Sequence, residues 1–181
     1  MKEGIRRLIE LAYPTGVYTE RNDALLDRDV KKEEVDAFVE ELRRLQAGDV
    51  RVILDTDYQV CWDITVKTPS AAYCHKKLKQ VKGRKKPLEP GYATIVLLSR
   101  LGRYFYIYWN VYFYGGGGEF RPSPPPAVAE LARWIFRRLE GAGFEHVSIE
   151  EAREVVPWVS PGDSICIEGP VRVYNCLFSE H

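Results

Sequence analysis

The sequence has few of the residues from which most metal and nucleophile sites are built. Its 181 residues include only three histidines and four cysteines, Cys61, Cys74, Cys166 and Cys176. No two cysteines have the C-x-x-C spacing of a zinc or redox site, and the cysteines are too sparse for the disulfide framework of a small secreted domain. We therefore expect four reduced cysteines, no bound metal and no cofactor.

The sequence also lacks an excess of charge and a long apolar run. Lysine and arginine total 26, aspartate and glutamate also total 26, and a formal net charge of zero argues against a general nucleic-acid binder. No apolar stretch reaches the roughly 18 residues that a membrane helix requires, and the first residues do not have the apolar core of a secretory signal. We expect a cytoplasmic protein without membrane contact.

The dominant feature that is present is an aromatic stretch at residues 103–114, RYFYIYWNVYFY. Its residues alternate in type, as in a β-strand whose successive side chains point to opposite sides of a sheet. At the helical period of 3.6 the tyrosines would surround the axis, so the stretch predicts a strand. Its apolar face carries Phe105, Ile107, Trp109, Val111 and Phe113. Its tyrosine face carries Tyr104, Tyr106, Tyr108, Asn110, Tyr112 and Tyr114.

The rest of the chain contains helix and strand patterns in turn. Amphipathic spacing predicts four helices, near residues 5–12, 29–45, 128–139 and 148–155. Ser148 and Glu151 have the spacing of a capping box that opens the last of them. Period-two alternation predicts strands at residues 50–54, 58–66, 92–99 and 103–114, and a final hairpin of residues 164–168 and 171–178. Gly102 is expected to take the positive φ of a tight hairpin turn.

These elements predict a single α+β domain spanning residues 1–181. The sheet is expected to be single, antiparallel and mostly a meander, with five or six strands. The helices are expected to pack on one face only, the apolar one, which leaves the tyrosine face open to solvent. A protein rarely exposes so large an aromatic patch without a use, although an ordinary half-buried surface of tyrosines is the alternative.

The predicted site is this tyrosine face, used to bind a protein partner rather than to catalyse a reaction. Tyrosines supply a large contact area at a small cost in side-chain entropy, which is typical of residues that dominate interface energies. Acids near the rim of the sheet are expected to meet a cationic cleft of the partner. The predicted partner-binding residues are Tyr104, Tyr106, Tyr108, Tyr112, Tyr114, Asn110, Asp57 and Asp63.

Two other functions are compatible with the sequence. The segment 75–86 holds seven lysines and arginines and no acid, so it could contact phosphates while the tyrosines stack bases. Asp55 and Asp57 could hold a metal in a tyrosine-lined enzyme pocket, although a tight turn explains the two aspartates equally well. The four glycines at 115–118 lack the Gly-Lys-Ser/Thr ending of a P-loop and are interpreted as a tether.

The layout of the chain is similar to a known class of protein. An aromatic central hairpin, a capped helix after Gly141-Ala142-Gly143-Phe144 and a closing strand, Val173-Tyr174-Asn175-Cys176-Leu177-Phe178, together resemble the immunity proteins encoded beside bacterial polymorphic toxins. The resemblance implies a protein that binds a cognate toxin domain, for example a nuclease, and blocks its active site or substrate groove. The neutral net charge differs from the acidic pattern of inhibitors that mimic nucleic acid.

Overall fold

A computed structural model describes residues 1–45, 49–53, 60–68, 90–113, 118–164 and 167–178. Several sequence predictions concern residues outside these ranges. They are the basic segment 75–86, Asp55, Asp57, Tyr114, residues 115–117 of the glycine tether, Cys74 and Cys166. No helix in the described ranges is both long enough and apolar enough to cross a membrane.

The described α-helices form where the sequence places apolar residues at intervals of three and four. They are α1 (Glu3–Ala12), α2 (Lys32–Leu45), α3 (Ala129–Gly141), α4 (Ile149–Arg153) and α5 (Val173–Leu177). Short 3₁₀ turns at Asp23–Leu25 and Pro126–Val128 precede α2 and α3. Acids in the first turn and arginines in the last turn of α2 complement its macrodipole, and α4 begins with the predicted capping box.

One mixed sheet contains all the strands of the described ranges. These are β1 (Asp49–Ile53), β2 (Cys61–Lys67), β3 (Gly91–Ser99), β4 (Tyr104–Tyr112), β5 (Gly118–Arg121) and β6 (Glu145–His146). Strands β1 to β5 are each antiparallel to the next, and β6 is parallel to the start of β4. The predicted α+β class and antiparallel meander are confirmed. Strand β6 was not predicted, because two residues are too few to show an alternation.

Helices cover both faces of the sheet, so the prediction that they pack on one face only is wrong. One buried cluster joins the apolar face, including Trp109, to Phe38 of α2 and Ile135 of α3. A second buried cluster joins the tyrosine face, including Tyr106, to Ile9 of α1 and to residues of α4 and α5. The sheet is therefore the middle layer of the described structure.

The reason for the second helical layer lies in β3. Its residues Ala93, Ile95 and Leu97 point to the tyrosine side and are almost completely buried. The alternate residues Val96 and Leu98 belong to the cluster on the apolar side. A strand that is buried on both faces has a continuous apolar run rather than an alternation, and such a run requires cover on both sides.

The C-terminal segment forms helix α5, so the predicted strand at residues 171–178 is wrong. Val173, Cys176 and Leu177 are buried and have the i, i+3, i+4 spacing of a helix face. The segment also contains enough β-branched and aromatic residues to resemble a strand, and short apolar segments are ambiguous between the two. Asn175 Oδ1 accepts a hydrogen bond of 2.9 Å from the Arg172 backbone N–H and caps the start of the helix.

The β3–β4 turn uses Gly102 for a different reason from the one predicted, because its φ is not positive. A Cβ atom at this position would lie 2.8 Å from Leu8 Cδ2, so the glycine allows α1 to lie close to the sheet. Beside it, the buried guanidinium of Arg100 donates to both carboxylate oxygens of Asp27, at 2.9 and 2.6 Å. This end of the hairpin is therefore held by α1 and by the loop before α2.

Candidate functional site

The tyrosine face is closed at one end by the helices of the same chain. Tyr106 is only 6% exposed, and its ring centroid lies 5.6 Å from that of Tyr174 and 5.9 Å from that of Phe178. Tyr104 is half-buried, and its hydroxyl lies so close to α1 that a Cβ at Gly4 would approach it to 2.8 Å. The expectation of an entirely open tyrosine face is therefore wrong at this end.

The other end of the tyrosine face is accessible. Tyr108, Asn110 and Tyr112 are half-buried, and Phe120 of β5 lies directly opposite Asn110 in the strand register. The Phe120 side chain is 45% exposed, and its ring centroid lies 5.4 Å from that of Tyr108. Rings from two adjacent strands therefore form an aromatic surface that solvent reaches.

A groove of about 550 Å³ lies between this surface and the two C-terminal helices. Its floor consists of Tyr106, Tyr108 and Phe120. Its walls consist of residues from α4 and from the start of α5, namely Ile149, Ala152, Arg153, Arg172 and Tyr174. We call this site the aromatic groove.

The aromatic groove lies beside an interruption in the edge of the sheet. On the outer side of β4, strand β6 pairs with Tyr104 and Phe105, and strand β5 pairs with residues 109–112. Residues 106–108 have no strand partner on that side within the part of the chain that the structure describes. Two of the three floor residues, Tyr106 and Tyr108, belong to this unpaired stretch.

The wall formed by α4 is fixed by capping bonds and ion pairs. Glu151 Oε2 accepts a bond of 2.9 Å from the Ser148 N–H, and Ser148 Oγ accepts one of 3.2 Å from the Glu151 N–H. Lys2 forms ion pairs with Glu145 at 2.7 Å and with Glu151 at 3.1 Å. Two backbone bonds of 2.8 and 3.0 Å join the segment after α4 to the segment that enters α5. Both walls are therefore held by bonds within the chain.

Two arginines, Arg153 at the end of α4 and Arg172 immediately before α5, line the aromatic groove. The Nη1 atom of Arg172 donates a hydrogen bond of 2.6 Å to the backbone oxygen of Arg153. Neither arginine forms an ion pair with any carboxylate in the described ranges. Burial raises the pKa of Tyr106, while Arg153 lowers it and Glu150 raises it further. The charges of Arg153 and Glu150 therefore both act on the floor of the groove.

Asp63 lies on the tyrosine face but not in the groove. It is half-buried and accepts a hydrogen bond of 3.1 Å from Thr65 Oγ1. Burial raises the pKa of the Asp63 carboxyl. Burial also raises the pKa of Tyr108 to about 12, with a smaller contribution from Asp63. A carboxylate that is partly withdrawn from water is less suited than an exposed one to attract a cationic partner.

The buried thiols are not available as nucleophiles. Cys61 and Cys176 are free and buried, as predicted for reduced cysteines. Burial raises the pKa of both thiols, that of Cys176 to about 12, so neither is a thiolate near neutral pH. Within the described ranges, no three metal-ligating side chains converge.

The structure brings two of the predicted partner-binding residues, Tyr106 and Tyr108, into the aromatic groove. Four others lie on the same face outside it, namely Tyr104, Asn110, Tyr112 and Asp63. The remaining two, Asp57 and Tyr114, lie outside the described residues. Sequence reasoning missed Phe120, whose strand is too short to show a pattern, and all the wall residues, which meet only through the fold. No protein family, curated protein or solved structure matches this chain.

Proposed function

We propose that this protein is an immunity-type protein that binds and neutralises a cognate bacterial toxin domain. The observation that carries the proposal is the aromatic groove, in which the accessible rings of Tyr108 and Phe120, with the largely buried Tyr106, form a floor between two helical walls. Aromatic side chains around well-packed pockets are the residues that most often dominate binding energies. The resemblance to immunity proteins, drawn from the sequence, suggests the toxin as the partner.

The size of the groove indicates how the partner binds. A volume of about 550 Å³ accommodates a few side chains, whereas a stable protein interface buries about 800 Å² on each partner. The complex therefore centres on the aromatic groove and extends over β5, whose four residues are all exposed, and over Tyr112. This footprint replaces the whole tyrosine face as the proposed contact surface.

The test is a calorimetric titration of the protein with the toxin domain encoded by the neighbouring reading frame. Phe120→Ala is expected to weaken binding by about 2 kcal/mol, which is about thirtyfold in Kd, because an aromatic anchor is lost. Phe113→Ala is the matched control. Phe113 is 47% exposed, close to the 45% of Phe120, and the alternation of β4 assigns it to the opposite face. Its removal is expected to change Kd by less than about twofold.

Variants that bind the toxin domain more weakly in calorimetry should also protect toxin-expressing cells less well. An unchanged affinity of both Phe120→Ala and Tyr108→Ala, with each variant folded by circular dichroism, would show that the groove is not the contact surface. A neighbouring gene product that does not bind the wild-type protein at all would reject the immunity role itself.

A small-molecule site is the second candidate, favoured by the cavity volume. Pockets for small ligands are commonly about 300–1,000 Å³, mostly apolar, with a few polar groups that orient the ligand. The aromatic groove, with two arginines on an aromatic and aliphatic lining, meets this description. Native mass spectrometry of the purified protein would then show a retained ligand that is lost in the Tyr108→Ala variant.

A further inference from the structure

We infer that the aromatic groove selects an acidic segment of its protein partner, in which a carboxylate lies next to an aromatic side chain. Arg153 and Arg172 bind the carboxylate, and the floor residues Tyr106, Tyr108 and Phe120 receive the aromatic side chain. The inference rests on the proposed function, because it concerns the part of the toxin domain that enters the groove.

The arginines of the groove differ from most other arginines of the chain in their ion pairs. Most arginine side chains that the structure describes form an ion pair with a carboxylate, namely Arg6, Arg7, Arg21, Arg28, Arg43, Arg100, Arg103, Arg121, Arg133 and Arg138. Arg153 and Arg172 form none with any described residue. The other exceptions, Arg44 and Arg137, lie apart on α2 and α3. At the aromatic groove, two guanidinium groups that have no carboxylate partner among the described residues line the same cavity.

Two of the acids nearest to Arg153 in sequence have other partners. Glu151 takes part in the capping box and forms an ion pair with Lys2. Glu154, the residue that follows α4, forms an ion pair with the amino group of Met1. Neither carboxylate is therefore free to neutralise the guanidinium of Arg153.

One exposed acid, Glu150, remains on α4 near the groove. It acts on the pKa of Tyr106 in the opposite direction to Arg153. Of the side chains of Glu150, Arg153 and Arg172, two are cationic and one is anionic, so together they carry a positive charge. An anionic group of the partner complements that charge.

Arg172 is held in position by hydrogen bonds within the chain. Its Nη1 atom donates to the backbone oxygen of Arg153 at 2.6 Å, and its backbone N–H donates to Asn175 at 2.9 Å. A guanidinium held in this way loses little freedom on binding, and its planar group matches a carboxylate through parallel N–H bonds. The hydroxyls of Tyr106 and Tyr108 form no hydrogen bond with any described residue, so they are further donors in the same cavity.

An acidic peptide fits the charge and the volume of the groove better than a nucleic acid does. Two guanidinium groups match one or two carboxylates, whereas proteins that bind DNA tightly contact about six to ten phosphates. The cavity of about 550 Å³ is large enough for an aromatic side chain and a flanking acidic one. The occupant is therefore a short protein segment with both groups side by side.

The test compares two blocked tripeptides, Ac-Glu-Trp-Glu-NH₂ and Ac-Gln-Trp-Gln-NH₂, which differ only in charge. Methyl groups of isoleucine and alanine are labelled with ¹³C, so that Ile149 and Ala152 report binding in the groove during an NMR titration. We expect the acidic peptide to shift both signals and to bind at least about fivefold more tightly than the glutamine peptide at low salt. The preference is expected to shrink at high salt because the rim arginines are exposed.

Substitutions then assign the preference to the arginines. The double variant R153Q/R172Q is expected to bind the two peptides equally. R153Q alone is expected to lose about half of the preference on a logarithmic scale. This single variant still tests the inference if R172Q disturbs the start of α5. R137Q is the matched control, because Arg137 is an exposed and unpaired arginine on α3 and its removal changes the net charge equally.

Equal binding of the two peptides, no binding of either, or an equal effect of R137Q and R153Q overturns the inference. Binding of free 4-hydroxyphenylacetate as tight as that of the acidic peptide identifies a small aromatic acid as the occupant and overturns the assignment to a protein segment. The calorimetric titration with the toxin domain is independent of these outcomes. Loss of toxin binding in Phe120→Ala without any charge preference would retain the proposed function and reject only the acidic segment.

Discussion

The two faces of the sheet are formed by the same strands, and they are covered to different extents. On the apolar face, α2 and α3 cover β4, and Phe105, Ile107 and Trp109 are all buried. On the tyrosine face, cover by α1, α4 and α5 changes along the strand from buried Tyr106 to half-buried Tyr112. Burial of the apolar face from Phe105 to Val111 stabilises the fold, whereas incomplete burial of the tyrosine face forms the groove.

The faces also differ in the state of their polar groups. The buried side-chain atoms without a hydrogen bond in the described ranges, Trp62 Nε1, Thr94 Oγ1 and Trp109 Nε1, all belong to the apolar face. Each such atom costs about 1–3 kcal/mol of folding free energy. The packing of apolar side chains on that face must therefore outweigh the cost of these unpaired polar atoms. On the tyrosine face, Asp63 and Tyr108 are only half-buried, and their shifted pKa values result mainly from that burial.

The largest expected effect tests the role of the apolar face in stability. Phe105 is fully buried, with its ring centroid 5.4 Å from that of Phe136 and 5.1 Å from that of His146. Phe105→Ala is expected to lower the free energy of unfolding by about 3–5 kcal/mol, because it leaves a cavity. Phe120→Ala, at an exposed position, is expected to lower it by about 0.5 kcal/mol or less. Urea denaturation measures both, and equal losses would contradict the division of roles between the faces.

A smaller effect concerns the pH dependence that the tyrosine face contributes. Burial raises the pKa of Asp63 above its ordinary value of 3.8, so the folded protein holds this proton more tightly than the unfolded chain. The contribution of Asp63 to stability is full below pH 3.8 and is lost as the pH rises through the folded pKa. The melting temperature of Asp63→Asn minus that of the wild type should therefore be larger at neutral pH than in acid. A relative gain that is larger in acid would contradict this assignment.

The apolar face should contribute the opposite pH dependence through His146. The ring packs against Phe105 and Phe136, at centroid distances of 5.1 and 4.8 Å, and burial lowers the pKa of His146 below 6.5. The unfolded chain takes up the proton first, so stability is lost as the pH falls from 6.5 towards the folded pKa. In urea titrations over this range, His146→Gln should lose less stability on acidification than the wild type. Parallel curves for the two proteins would show that His146 does not titrate differently in the folded state.

The features that the sequence predicts well are those that a local period determines. The alternation along residues 103–114 correctly assigns Phe105 and Tyr106 to opposite faces of β4. Cover of the second face depends on β3, where Ile95, Val96, Leu97 and Leu98 form a run that could equally belong to a half-exposed strand or a fully buried one. Only the position of the helices decides between these arrangements.

The aromatic groove was predictable only in its floor. Tyr106 and Tyr108 follow from the tyrosine alternation, whereas Arg153 and Arg172 are 19 residues apart and are joined by a single side-chain bond to a backbone oxygen. Such a contact has no signature in the sequence, because it depends on the path of the chain between α4 and α5. The same limit explains why α5 resembled a strand until its buried residues were located.

The unpaired stretch of β4 at residues 106–108 has a consequence for the behaviour of the protein in concentrated solution. Long free strand edges act as templates for other chains and lead to aggregation. Here β6 and β5 border the stretch on either side, so a visiting strand finds too few free backbone groups to extend the sheet. This border of β4 therefore presents aromatic rings without offering a long free strand edge.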